Sequence, residues 1–213
     1  MPVKRRSYKS EVRTLAANET HARIVEAARE LLSGGKNMPA FSLDAVARRA
    51  GVTRLTVYNR FESRRGLLEA VFDDTAQRGG LLELSSVMSN PNLEEALRKF
   101  VTVFCAFWAA NGSLFSRIAA NATLDEEIAE SLHGRSERRR VLLNSLIRRL
   151  DLGDARKELV DVLFGLTSFD MHRHLAVGKR SNAEIEGLIH RSVVDTLKHY
   201  TQKPSNRRQL KTR

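Results

Sequence analysis

One cysteine, one tryptophan, three tyrosines and four prolines are all that 213 residues hold of these types, and each scarcity narrows what the chain can be. The lone thiol, Cys105, cannot close a disulfide within the chain, which excludes a disulfide-stapled scaffold and fits a reducing compartment. With so few prolines, long helices can run without interruption. No apolar run reaches the ~20 residues a membrane-spanning helix needs, the most hydrophobic stretch being 100-FVTVFCAFWAA-110. The N-terminal MPVKRRSYKSEV has no apolar core of a signal peptide. Also missing are a Gly-rich phosphate loop, a nucleophile elbow and paired catalytic carboxylates, so an enzyme is not expected. His172 and His174 are the nearest approach to a metal pair, but on a helix such neighbours point roughly 200° apart and no further ligands accompany them. The expectation is a cytoplasmic protein without metal or cofactor.

Charge is abundant and unevenly placed. Lys and Arg number 36 against 25 Asp and Glu, a net charge of +11. Residues 1–70 hold 14 Lys and Arg against 7 Asp and Glu, residues 203–213 hold 5 against none, and the long middle holds 17 against 18. A basic excess confined to the two ends favours a polyanionic partner.

Helical periodicity dominates, and no alternating strand pattern of useful length appears, so the expected fold is all-α. The spacing predicts a first helix from about Thr20, as N-cap, to Ser33, with Gly34-Gly35 as its stop. Ser42 caps a short helix whose Leu43, Val46, Ala47 and Ala50 recur at helical spacing. Gly51 supplies its left-handed ending, Thr53 caps the next helix and Ser63 a fourth. Two helices joined by a tight Gly turn behind a bracing helix outline a helix-turn-helix. Longer amphipathic helices follow at roughly 92–110, 113–121, 124–150, 154–177 and 182–200, with capping-box spacings at Asn92/Glu95, Thr123/Glu126 and Ser181/Glu184.

The stretch 51-GVTRLTVYNRFESRRGLLEAVF-72 carries the chemistry. With Thr53 as cap, Val57 and Phe61 point inward, and Arg54, Leu55, Thr56, Tyr58, Asn59 and Arg60 face out. In a helix-turn-helix that outward set lies in the major groove. Arg54 can donate twice to guanine, Asn59 can pair with adenine, and Leu55 or the Thr56 methyl can touch a thymine methyl, making these four the candidate base contacts. Ser42, Thr53, Tyr58, Arg60 and Arg64 are the candidate phosphate contacts, Arg64 because it stands at the positive end of the next helix. A solvated basic face is the bland alternative. Lys4, Arg5 and Arg6 form a basic arm that either enters the minor groove or stays solvated.

At these residues the chain resembles the TetR (tetracycline repressor-like) family of transcriptional regulators, through 24-IVEAARELL-32 and 43-LDAVARRAGVTRLTVYNRFESRRGLLEAVF-72. The matching positions are Val46-Ala47, Ala50-Gly51-Val52-Thr53, Tyr58, Phe61, Ser63-Arg64 and Leu67-Leu68. Departures fall at Leu55, where a small residue is usual, at Arg64, often Lys, and at Arg65, often acidic. The resemblance implies a homodimer whose N-terminal modules bind a palindromic operator and whose C-terminal bundle takes a small-molecule effector that releases the DNA. The domains implied are a basic arm over 1–18, a helix-turn-helix domain over 19–72, an effector-binding and dimerisation domain over 73–202 and a basic disordered tail over 203–213.

Beyond residue 72 no comparable motif appears. Six of the nine phenylalanines lie between 100 and 169. Phe104, Phe107, Trp108, Phe115, Ile118, Phe164, Phe169 and His172 are candidates for an apolar effector pocket, or else simply core. Leu159, Val162, Leu163 and Leu166, with Ile185, Leu188, Ile189, Val193 and Leu197, form stripes that suit either a dimer interface or the protomer's own core. The cluster 138-RRR-140 reads as an exposed helix face. The functional expectation is a ligand-responsive repressor of double-stranded DNA; an activator or an architectural DNA-binding protein without effector is the alternative.

Overall fold

The computed structural model describes residues 4–34 and 41–202, the side chains of residues 4–13 excepted. The tail over 203–213 lies outside the described residues, as do the side chains of Lys4, Arg5 and Arg6. The described chain is all-α: α1 (Lys4–Ser33), α2 (Leu43–Ala50), α3 (Arg54–Phe61), α4 (Arg64–Arg78), a 3-10 turn at Leu81–Glu83, then α5 (Leu84–Ser89), α6 (Leu93–Ala122), α7 (Glu126–Ile147), α8 (Ala155–Leu166), α9 (Phe169–Ala176) and α10 (Asn182–Gln202). No helix among the described residues is long and apolar enough to cross a membrane.

The helices fall into two compact units. The first comprises, of the described residues, those up to 75 and 113–132, so it holds α1 to α3 and most of α4 with the last turns of α6 and the first of α7. Its core is built from Ile24, Ala28 and Leu32 of α1, Val46 of α2, Val57 of α3, Leu67 and Leu68 of α4, and Ile118 of α6, all fully buried. The boundary expected at 72/73 omits the segment 113–132. That segment is bound to the first unit by the Phe72 and Phe115 rings, 6.4 Å apart, and by Arg117 Nη1 donating to the Gly34 carbonyl at 2.9 Å.

The second unit comprises, of the described residues, 76–112 and 133–202. Its core gathers Phe100, Leu143, Leu146, Ile147, Leu159, Leu163 and Ile185, with α8 packed on α10. Cys105 is buried here, and burial, followed by the nearby charge of Glu186, pushes its thiol up to about 12.

Several element boundaries differ from expectation, each for a local reason. Helix α1 begins at Lys4 rather than Thr20. Its early residues include Ala, Leu, Lys, Arg and Glu with no Pro or Gly to stop them. Thr20 is inside the helix and its hydroxyl donates to the Ala16 carbonyl at 2.8 Å. Gly112 does not divide α6, since one Gly costs a helix only about 1 kcal/mol. Asp125, not Thr123, caps α7: its Oδ1 accepts from the Ile128 N–H at 3.2 Å, while the Thr123 hydroxyl turns back to Ala120 O. The segment 154–177 is two helices, because Ser168 breaks from α8 and caps α9 through the Met171 N–H at 3.1 Å. The cap at Asn92 and the reciprocal box at Ser181 and Glu184 are present.

Candidate functional site

The two short helices of the first unit are fixed end by end. Ser42 Oγ accepts from the Ala45 N–H at 3.2 Å and starts α2. Gly51, at φ 63°, ends it with its N–H on the Ala47 and Arg48 carbonyls. Only glycine takes that left-handed turn without strain. Thr53 Oγ1 then accepts from the Thr56 N–H at 3.1 Å and starts α3. Between α3 and α4 the chain makes a γ-turn, with Glu62 at φ 64° and the Ser63 N–H on Phe61 O at 2.6 Å, a strained geometry. Ser63 Oγ accepts from the Gly66 N–H at 2.9 Å and starts α4.

Held this way, α3 buries Val57 and Phe61 and turns a continuous polar and apolar face outward. The His21 ring of α1 stacks on Phe61 at 4.9 Å and braces the inner side. Arg54, Asn59 and Arg60 are exposed and Thr56 partly so. Leu55 is 65% and Tyr58 55% exposed. Leucines are exposed elsewhere too, at Leu82 and Leu124, so what sets this face apart is that Leu55 and Tyr58 stand beside Arg54, Asn59 and Arg60 on one short helix. Arg54 lies 3.7 Å from Asp44 with both side chains more than half exposed, a loose pair that leaves the guanidinium available. The hydroxyls of Thr53 and Thr56 share a hydrogen bond of 2.8 Å.

Residues 24–71, which contain α2, α3 and the turns at their ends, match the profile of bacterial regulatory proteins of the tetR family. The chain carries a TetR-type helix-turn-helix module over these residues. It is 31% identical over 112 residues to the HTH-type transcriptional regulator AlkX of Mycobacterium tuberculosis, a match covering 53% of this chain and 50% of that protein. Over 68 residues it is 43% identical to the uncharacterized HTH-type transcriptional regulator TtgW of Pseudomonas putida, covering 32% of this chain and 48% of that one. These matches thus span about half the length of the curated relatives. Its fold is similar to a tetR-family transcriptional regulator from Mesorhizobium loti (TM-score 0.60, 22% identity, 86% of this chain and 97% of the other). A Rhodococcus regulator is equally similar in fold (TM-score 0.61, 16% identity, 86% and 99%).

One residue of the TetR-type module has other work than expected. Arg64 was a candidate for a DNA phosphate, but its donors are engaged inside the first unit. Nη1 meets Glu127 at 2.7 Å, both Nη atoms reach Asp125, and Nε donates to Phe41 O at 3.2 Å. The guanidinium also sits 5.2 Å from the Phe41 ring centroid. Burial alone would lower the Arg64 pKa, but hydrogen bonds and charge from Asp125 and Glu127 raise it above its ordinary value. Hydrogen bonding from Arg64 correspondingly holds the Asp125 carboxyl below its usual range, against the opposing effect of burial. Sequence reading missed Asp125 and Glu127 because they lie some sixty residues away, with no local pattern to announce them.

The expected effector residues divide. Phe104, Phe107 and Trp108 of α6, Phe164 of α8, and Phe169 and His172 of α9 are in the second unit, whereas Phe115 and Ile118 pack in the first. Trp108 is the hub: its ring lies 4.9 Å from Phe107, 5.9 Å from Phe104 and 5.5 Å from Phe169. Its Nε1 donates to Thr167 O at 3.0 Å. His172 is buried, with Nε2 3.0 Å from Asn182 Oδ1. The neighbouring His174 sets Nδ1 2.7 Å from the Asp170 carbonyl. Among the described residues no three His, Cys, Asp or Glu side chains gather to hold a metal ion.

Arg139 corrects the reading of 138-RRR-140 as an exposed face. It is 6% exposed, with its guanidinium carbon 4.2 Å from the Phe164 centroid and 5.7 Å from that of Phe104. Nη1 donates to Phe164 O at 3.0 Å and to Thr167 Oγ1 at 2.9 Å. Burial, and then the charge of Arg140, pulls its pKa down to about 10, so it stays protonated at neutral pH. The signal in the sequence was its place four residues before Leu143 and seven before Leu146, both buried.

The candidate dimer stripes divide too. Leu159, Leu163, Ile185, Ile189 and Val193 are enclosed in the chain's own core, because α8 and α10 pack on each other. They therefore cannot form the surface a second copy would cover. Val162, Leu166, Leu188 and Leu197 keep exposed area and remain candidates.

Proposed function

We propose that the chain is a ligand-responsive repressor that binds a two-fold symmetric DNA site as a homodimer and releases it when a small, largely apolar effector binds. The observation that carries the reading is the outward face of α3, where Leu55 and Tyr58 stand exposed beside Arg54, Asn59 and Arg60. In that face Arg54, Leu55, Thr56 and Asn59 read base edges. Ser42, Thr53, Tyr58 and Arg60 hold the phosphates on either side. The aromatic cluster around Trp108 takes the effector, and Val162, Leu166, Leu188 and Leu197 contribute to the dimer contact.

The test is selection of random duplex DNA by the purified protein near physiological salt, followed by sequencing of the retained pool. An enriched palindrome is expected. Tight, salt-sensitive retention without any enriched motif would overturn the specific-regulator reading and favour an architectural DNA-binding protein.

A further inference from the structure

Buried cations in folded proteins are matched by buried anions, because an uncompensated charge in an apolar surround is costly. Arg139 departs from that pattern. Glu137, two residues away, accepts from Arg140 Nε at 3.1 Å, and Asp161 likewise pairs with Arg140, through Nη1. Arg140 itself lies over the same ring as Arg139, 4.0 Å from the Phe164 centroid. One aromatic face system therefore serves two guanidinium groups; only Arg140 is hydrogen-bonded to carboxylates, while Arg139 feels Glu137 through its charge alone, too weakly to offset burial and the repulsion of Arg140. All hydrogen bonds of Arg139 among the described residues are made through Nη1, to a carbonyl and a hydroxyl. The Nε and Nη2 donors, which form the edge that grips a carboxylate two bonds at a time, meet no protein acceptor among the described residues and are open to an incoming one. Those acceptors lie at the carbonyl end of α8, whose dipole offsets part of the charge but supplies no full anion.

The surroundings define the rest of a ligand. Phe104, beside the guanidinium, and Trp108, packed on Phe104, are buried, while Phe164 and Phe169 keep exposed area. A guanidinium with no carboxylate hydrogen-bonded to it, among rings suited to an apolar body, describes the site of an amphipathic acid.

We infer that the effector is an organic acid, an apolar or aromatic body with one carboxylate whose oxygens are held by Arg139. This rests on the effector site proposed above. Trp108 is the only tryptophan of the chain and lies in the same cluster, so its emission reports occupancy directly. The experiment titrates decanoate and 3-phenylpropionate against 1-decanol and 3-phenylpropan-1-ol, with Trp108 fluorescence as the readout, in the full-length protein and in Arg139→Met and Arg139→Lys. Each acid is expected to bind at least about tenfold tighter than its alcohol in the native protein, as a charge-assisted contact requires. The preference disappears in Arg139→Met and survives in part in Arg139→Lys. Met is a size-matched replacement of the kind buried ions tolerate; should it fail to fold by circular dichroism, the Lys variant alone decides through its reduced preference. Equal binding of acid and alcohol, no binding of either acid, or a preference that persists without the guanidinium would each overturn the inference. A purely structural Arg139 would lower thermal stability in the variants without changing acid-to-alcohol selectivity. DNA release measured in parallel separates the two claims. Alcohols that bind and release DNA as well as the acids would leave the ligand-responsive reading standing and sink the acid, whereas acids that bind selectively but leave DNA bound would do the reverse.

Discussion

Arg54 and Arg64 carry the same guanidinium into different work. Arg54 is mostly exposed and loosely paired with Asp44, so Arg54→Ala should weaken binding to the selected DNA site by about 1–3 kcal/mol while sparing random duplex, as competition titrations would show. Arg64, three-quarters buried beside Asp125 and Glu127, answers to stability instead. Arg64→Ala should lower unfolding free energy by about 2 kcal/mol, because two carboxylates lose their partner, and should leave the salt dependence of DNA binding unchanged. The pH dependence has a definite sign. The folded-state pKa of Asp125 is depressed, so its contribution is full above the unfolded value of about 3.9 and is lost as pH falls through the folded one. The difference in stability between native protein and Arg64→Ala should therefore shrink below about pH 4, as urea titrations at graded pH would register.

Helix ends and turns were the most legible features, because their signals are local. Ser42, Gly51, Thr53, Ser63, Asn92 and Ser181 stand at the ends their side chains or conformations favour. Legibility failed where distance decides. Nothing near Arg64 announces Asp125, nothing near Arg139 announces Phe164, and the stripes on α8 and α10 read alike whether they face their own core or a second copy. The α3–α4 turn offers a sharper element-scale prediction. A Cβ on Gly66 would lie 2.1 Å from the Phe61 carbonyl oxygen, whereas one on Gly134 would meet nothing within 4 Å. Gly66→Ala should cost about 2 kcal/mol or more, since backbone must move. Gly134→Ala inside α7 should gain about 0.5–1 kcal/mol. Thermal denaturation of the pair checks both signs, and a stable Gly66→Ala would mean that the turn is looser than described.

Across the whole molecule, charge is segregated: the 70 residues that contain α1 to α3 carry a net +7, and residues 71–202 are close to neutral. Affinity for duplex DNA should fall at least tenfold between about 50 and about 200 mM salt, even if each copy neutralises only one phosphate through Arg60. Arg60→Ala should flatten that slope in filter-binding or anisotropy titrations, and an unchanged slope would remove Arg60 from the phosphate contacts. The burial of Cys105 has a practical reach of its own. Thiol reagents attack thiolates, and a thiol only 2% exposed with its pKa pushed up to about 12 offers almost none at neutral pH. For labelling purposes the native chain behaves as though it had no cysteine, so one introduced at an exposed position such as Arg48 would carry a single spin label per chain. Two such labels in a dimer would report one interspin distance, and its change with DNA or an organic acid would follow the molecule's working states without any background to subtract.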